Sequence, residues 1–180
     1  MLTVKYLLER GEKVGLTQLS KILAAGLEEC QTEAEKKEFG LQALKIYDYE
    51  NDDEMHPYLK HGIDTKYYSN LIERNDSTLL KNIVWNPQAE TPVHGHNCQG
   101  CWVLCLQGQL TEEVMSGKEG EPSTFKTLTP GAVTYMHDSI GFHRISNETP
   151  STPAVTLHCY HPPYDETSVL KETGEISVMP

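Results

Sequence analysis

The residues best equipped for chemistry stand in two short runs, His94-Gly95-His96-Asn97-Cys98-Gln99-Gly100-Cys101 and Gly141-Phe142-His143-Arg144. On an extended strand, residues i and i+2 point to one face, so His94 and His96 can turn both imidazoles toward one ion. His143 offers a third neutral nitrogen from a second strand. Such a donor set suits a divalent transition metal with coordination positions left open. Cys101 opens an apolar run, Trp102 to Leu106, and Gly108 closes that run at a turn. Each residue alone has a plainer reading. A lone histidine is more often hydrogen-bonded than a ligand, Cys101 alone is a small buried hydrophobe, and Tyr160 alone is a core aromatic.

Strands must position these groups. From Lys66 to about Tyr160, short apolar runs alternate with turn residues, the pattern of an all-β unit. The expected strands are Tyr67 to Ile72, Leu79 to Trp85, Trp102 to Leu106, Leu110 to Met115, Phe125 to Leu128, Ala132 to Met136 and Val155 to Tyr160. Leu110–Met115 is expected to pair with Trp102–Leu106 as a hairpin. Thr129-Pro130-Gly131 is a turn, and residues 116–122 read as a loop. Two helices precede the strands. The first runs from Thr17 to about Gly26, with Thr17 or Ser20 as its cap. The second runs from Thr32 to Tyr47, with Thr32 as N-cap and Glu33 and Glu35 in the first turn. Gly40 weakens that second helix. The stretch 166–180 is polar and stays unassigned. Two sheets must bury their inner faces, as a sandwich or a barrel, and a small barrel can hold a ligand in its mouth.

Composition excludes several functional classes. A net charge of −11 and a pI near 5.1 argue against nucleic acid or an anionic membrane as partner. No apolar run reaches the ~20 residues of a membrane span, and the first ten residues do not make a signal peptide. The expectation is a cytoplasmic monomer, folded as one domain over residues 1–180 with a helical front at about 1–60, a β-barrel at about 66–165 and a tail. The cysteines are Cys30, Cys98, Cys101, Cys105 and Cys159, an odd set that does not read as a secreted disulfide framework. Cys98-x-x-Cys101 has no second such pair to complete a zinc site. Cys98 and Cys105 read as structural.

His94-x-His96 with Cys101 and Gly108 resembles the first motif of the cupin family, with cysteine where that family usually has glutamate. Pro130-Gly131, His143 and Asn147 resemble the second motif. More narrowly, Trp85, Asp138-Ser-Ile-Gly-Phe-His143-Arg144 and Leu157-His158-Cys159-Tyr160-His161-Pro-Pro-Tyr164-Asp165 are similar to cysteine dioxygenase. The resemblance implies a cupin-type, jelly-roll-like β-barrel or sandwich behind short α-helices. It implies Fe(II) on His94, His96 and His143, with a small thiol and O2 as reactants and cysteine sulfinic acid as product. It also implies a thioether between Cys101 and Tyr160, with His158 holding the Tyr160 hydroxyl. Three neutral histidines leave the cation its full charge, so replacing the glutamate by Cys101 favours an anionic ligand such as a thiolate.

Along the last strand, Thr156, His158 and Tyr160 share one face, and alternation alone leaves open whether that face meets solvent or the cavity. One position departs from the family. Cysteine dioxygenases usually have Tyr-x-Arg-Asn before the first sheet strand, and that arginine grips the substrate carboxylate. Here the stretch is Tyr67-Tyr68-Ser69-Asn70. Tyr67 and Ser69 are expected at the substrate, with Lys66, Arg74 or tyrosine hydroxyls replacing the guanidinium fork. Three functions stay open: a cysteine dioxygenase, a dioxygenase for another small thiol such as 3-mercaptopropionate, and a metal-binding cupin without turnover.

Overall fold

The computed structural model of the chain describes residues 2–60, 62, 64–96, 98–116, 121–170, 173 and 175–179. Among them, three helices lead: α1 (Leu2–Arg10), α2 (Leu16–Glu29) and α3 (Glu33–Lys45), followed by a 3-10 turn at Asp53–Tyr58. The α3 cap is as expected. The Thr32 hydroxyl accepts from the Glu35 N–H while the Glu35 carboxylate accepts from the Thr32 N–H, satisfying two orphan donors. The α2 cap is not. Neither Thr17 nor Ser20 caps it; Gly15 is the N-cap residue, and Asp52 and Glu54 accept the Leu16 and Thr17 N–H groups from across the fold. A distant carboxylate replaces the local hydroxyl, which no local motif announces.

The strands are β1 (Tyr67–Arg74), β2 (Leu79–Trp85), β3 (His94–His96), β4 (Gly100–Gln107), β5 (Leu110–Met115), β6 (Thr124–Leu128), β7 (Val133–Met136), β8 (Phe142–Ser146), β9 (Ala154–His161), β10 (Thr167–Leu170) and β11 (Ile176–Met179). They form two sheets, ordered β1-β2-β9-β4-β7 and β11-β10-β3-β8-β5-β6. Within the five-stranded sheet, alternate residues serve two cores. Leu80, Trp102, Leu104, Leu157 and Cys159 pack under the helices, against Leu19, Leu23, Leu27 and Leu44. Leu79, Ile83, Trp85, Cys101, Val103, Cys105 and Tyr160 face the other sheet, against Leu110, Leu128, Met136 and Ile145. Every residue of β9 is therefore buried. Gly40 finds its reason here: a Cβ would sit 2.4 Å from the Trp102 ring, so glycine lets α3 lie directly on the sheet.

One pairing expectation fails. β4 and β5 do not form a hairpin; β4 pairs with β7 and β9, whereas β5 pairs with β6 and β8. Gly108, at φ +78, turns the chain from one sheet into the other, and a Cβ there would meet the Pro153 carbonyl oxygen at 2.8 Å. The tail, unassigned from sequence, carries two strands among its described residues: β10 pairs with β3 and β11 extends the same sheet. The loop expected at 116–122 lies largely outside the described residues. Among the described residues, no helix is long and apolar enough to cross a membrane.

Candidate metal centre and cavity

β3 is three residues long, and its neighbours hold it. His94 stands opposite His143 of β8 on one side and Val169 of β10 on the other. The His96 N–H donates to Asp138 Oδ1 at 2.7 Å. The i, i+2 spacing does what it promised. One ring nitrogen from each of His94, His96 and His143 lies within 4.8 Å of the others.

The surrounding hydrogen bonds fix which nitrogens converge. His94 Nδ1 lies 3.0 Å from the Pro92 carbonyl, and His143 Nδ1 lies 2.9 Å from Glu112 Oε1. Each Nδ1–H therefore donates outward and leaves Nε2 as a lone-pair donor. Glu112 is itself fully buried and also accepts from the Thr134 hydroxyl. His96 Nε2 and His143 Nε2 face each other at 3.0 Å, while His96 Nδ1 is buried without a partner. Two ring nitrogens at that distance can share a proton or a cation. A cation also serves the third nitrogen, from His94, which a shared proton does not. Nitrogens ~2.1 Å from one ion and at right angles around it stand about 3.0 Å apart, the spacing of the His96–His143 pair, and His94, with its nitrogen within 4.8 Å of both, is placed to complete a facial set by a small inward shift. Burial, with the neighbouring histidines adding to it, pushes His94 down to about 4 and His96 well below its ordinary range. Both rings are neutral at pH 7, as ligation requires.

A cavity of about 300 Å³ opens on this centre. Its walls include His94 and His96, and from the five-stranded sheet Tyr67, Ser69, Lys81 and Tyr160. Tyr67 and Ser69, expected at the substrate, are on the wall. Cys101 and His158 are not; they lie behind Tyr160. Cys101 is directly opposite Tyr160 in the β4–β9 register, and both are buried. The Thr156–His158–Tyr160 face points inward. Trp85 Nε1–H donates to Thr156 Oγ1 at 2.8 Å, Thr156 Oγ1 and His158 Nε2 are 2.8 Å apart, and His158 Nδ1 and the Tyr160 hydroxyl are 3.1 Å apart. Burial pushes His158 down to about 3 and raises the Tyr160 phenol well above its ordinary range, with Cys101 and Tyr164 adding to the latter.

The cations proposed to replace the family arginine are elsewhere. Lys66 faces Glu90 at 3.8 Å on the surface, and Arg74 pairs with Asp165 at 2.9 Å. Neither lines the cavity. Lys81 does, and sequence reasoning passed over it. Leu79, Lys81, Ile83 and Trp85 share one face of β2, so a lysine among buried apolar residues was the available signal. Glu112 was missed in the same way, on the buried face of β5 beside Leu110.

The two facing sheets, with the histidine trio between them, have the cupin architecture, the double-stranded β-helix. The sequence model of the family "Cysteine dioxygenase type I" matches residues 21–172, and the chain belongs to that family. Rat and human cysteine dioxygenase type 1 are each 30% identical over 106 residues, covering 56% of this chain and 53% of theirs. The zebrafish enzyme is 31% identical, covering 55% and 53%. The match thus spans about half the length of the curated relatives. A Klebsiella pneumoniae protein with a double-stranded β-helix domain superposes with a TM-score of 0.52 at 13% identity, covering 66% of this chain and 95% of its own. That likeness shows the fold alone.

Proposed function

We propose that the protein is a non-haem iron thiol dioxygenase that converts cysteine and O2 to cysteine sulfinic acid. The observation that carries this reading is one juxtaposition. One ring nitrogen from each of three histidines converges beside a cavity whose opposite wall presents the Tyr160 hydroxyl, held from behind by His158. The reaction adds both atoms of O2 to the thiol sulfur, R–SH + O2 giving R–SO2H, and needs no outside reductant.

His94, His96 and His143 would hold Fe(II), which supplies Lewis acidity toward the thiol and redox chemistry toward O2. The chain's other groups orient and donate protons. Trp85 can only donate, so a row running in one direction has Thr156 donating to His158 Nε2 and His158 Nδ1–H donating to the Tyr160 oxygen. The phenol proton then faces the cavity. Burial keeps that phenol protonated, and a protonated phenol can hydrogen-bond the reacting atoms. The register that sets Cys101 opposite Tyr160 supports a thioether between them. The bond would form between sulfur and a ring carbon, with loss of two hydrogens to O2, and would lock the ring in the donating pose.

Ser69 at the family's arginine position favours a second reading, oxidation of another small thiol such as 3-mercaptopropionate. A cupin without turnover would have no use for the buried Trp85–Thr156–His158–Tyr160 row. The test is oxygen uptake by Fe(II)-loaded protein with each thiol, with sulfinate identified in the product. Peptide mass analysis of the turned-over protein should also find Cys101 and Tyr160 joined and two hydrogens lighter. No oxygen uptake with either thiol would sink the dioxygenase reading.

A further inference from the structure

We infer that Lys81 reads the substrate carboxylate in place of the absent arginine, which makes the site selective for small thiol carboxylates. The inference rests on the thiol dioxygenase reading above and assigns its substrate class. Ser69 stands opposite Ile83 in the β1–β2 register, and Lys81 is two residues along β2 on the same face. Loss of a cation at Ser69 is thus met by a cation on the neighbouring strand. Both side chains line the same cavity as His94, His96 and Tyr160.

Among the described residues, the Lys81 charge has no ion-pair partner, only a ring. No carboxylate among them lies within ion-pair distance of its Nζ, which stands over the Tyr164 ring 5.7 Å from the centroid, a weak cation–π contact. The register partner of Lys81 on β9 is His158, an uncharged neighbour. A half-buried ammonium without an anion is costly to hold, so a cavity that keeps one is suited to an anionic ligand. No aspartate or glutamate lines the cavity among the described residues. The walls therefore offer the substrate a cation and hydroxyls, and no carboxylate to pair with its ammonium. Thiols with a carboxylate should bind whether or not they carry an amine. An ammonium is also a point charge rather than a fork, so it fixes the carboxylate less strictly than arginine does.

The test is anaerobic calorimetric titration of Fe(II)-loaded protein with cysteine, 3-mercaptopropionate and cysteamine, with oxygen uptake measured in parallel. Wild type should bind both carboxylates and bind cysteamine at least tenfold more weakly. Lys81→Met should weaken the carboxylates about tenfold or more and leave cysteamine unchanged, the range of one charge-assisted hydrogen bond. Adding Ser69→Arg to Lys81→Met should restore cysteine affinity. Wild type binding cysteamine as tightly as cysteine overturns the proposal without any variant, and so does a Lys81→Met protein with unchanged carboxylate affinity. Lysine-dependent binding without oxygen uptake would instead refute the dioxygenase reading and leave this one standing. Absence of binding by any thiol would refute both.

Discussion

The two sheets divide the site between them. The six-stranded sheet supplies the histidines from short strands: β3 and β8 have three and five residues. It steadies them with polar contacts, Asp138 on the His96 backbone and Glu112 on His143. The five-stranded sheet supplies Tyr67, Ser69, Lys81 and Tyr160 from strands of seven and eight residues, sandwiched between helices and barrel interior. On the proposed reading, one wall binds a cation and the other faces whatever meets that cation. A metal ligand needs its lone pair aimed, which a few hydrogen bonds achieve. A substrate wall needs a fixed distance from the metal, which a rigid, doubly packed sheet achieves.

Substitutions on the two walls should therefore fail differently. The largest effect is expected at His143. His143→Ala removes one of the three proposed ligands and leaves buried Glu112 with the Thr134 hydroxyl alone, so both iron and oxygen uptake should be lost. His158→Gln, on the opposite sheet, should keep its iron and lose about 10²-fold in turnover, because the Tyr160 hydroxyl is no longer fixed. Metal analysis beside oxygen uptake separates the two. Equal iron loss in both variants would erase the division between the sheets.

A smaller effect is expected at Glu112. Glu112→Gln keeps the shape and can still accept from His143 Nδ1–H through its amide oxygen, but it removes the charge that strengthens that nitrogen's partner. Outer partners of this kind are worth about 10- to 100-fold in metal affinity. Competition with a chelator would measure it, and unchanged affinity would make Glu112 a packing residue rather than an orienting one.

The sequence showed one wall better than the other. The i, i+2 spacing of His94 and His96 is local, and it survived folding unchanged. Strands β2 and β5 begin and end where alternation placed them, at Leu79–Trp85 and Leu110–Met115. What β5 pairs with was not legible, because nearness in sequence suggested β4 whereas Gly108 sends the chain across the barrel. The tail strand β10 has no apolar period of its own, yet it pairs with β3, so only tertiary structure reveals it. Lys81 and Glu112 escaped for a shared reason. A single charged residue on an apolar strand face looks like an interruption until the residue opposite is known. On the resemblance alone, the missing arginine pointed to Lys66 or Arg74, which are near Ser69 in sequence; the replacement proposed here is near it across the sheet.

The smallest expected effect is on acid stability, and it tests whether both walls bury neutral imidazoles. His94 on the six-stranded sheet sits at about 4 and His158 on the five-stranded sheet at about 3, both lowered first by burial. In the unfolded chain each returns to about 6.5. Between these values the unfolded chain binds protons that the folded chain refuses, so stability rises with pH there and falls on acidification. The stabilising contribution is complete above about pH 7, declines from about 6.5, and for His94 levels off near 4. Carboxylates titrate mostly below this window, so the slope from pH 6.5 to 4.5 reports chiefly on buried histidines. The urea midpoint of metal-free protein should drop across that interval. In His158→Gln, which carries no proton at either end, the drop should be shallower. An unchanged slope in that variant would mean that His158 takes up protons in the folded state as readily as in the unfolded one, and the row from Trp85 to Tyr160 would then not be sealed from water.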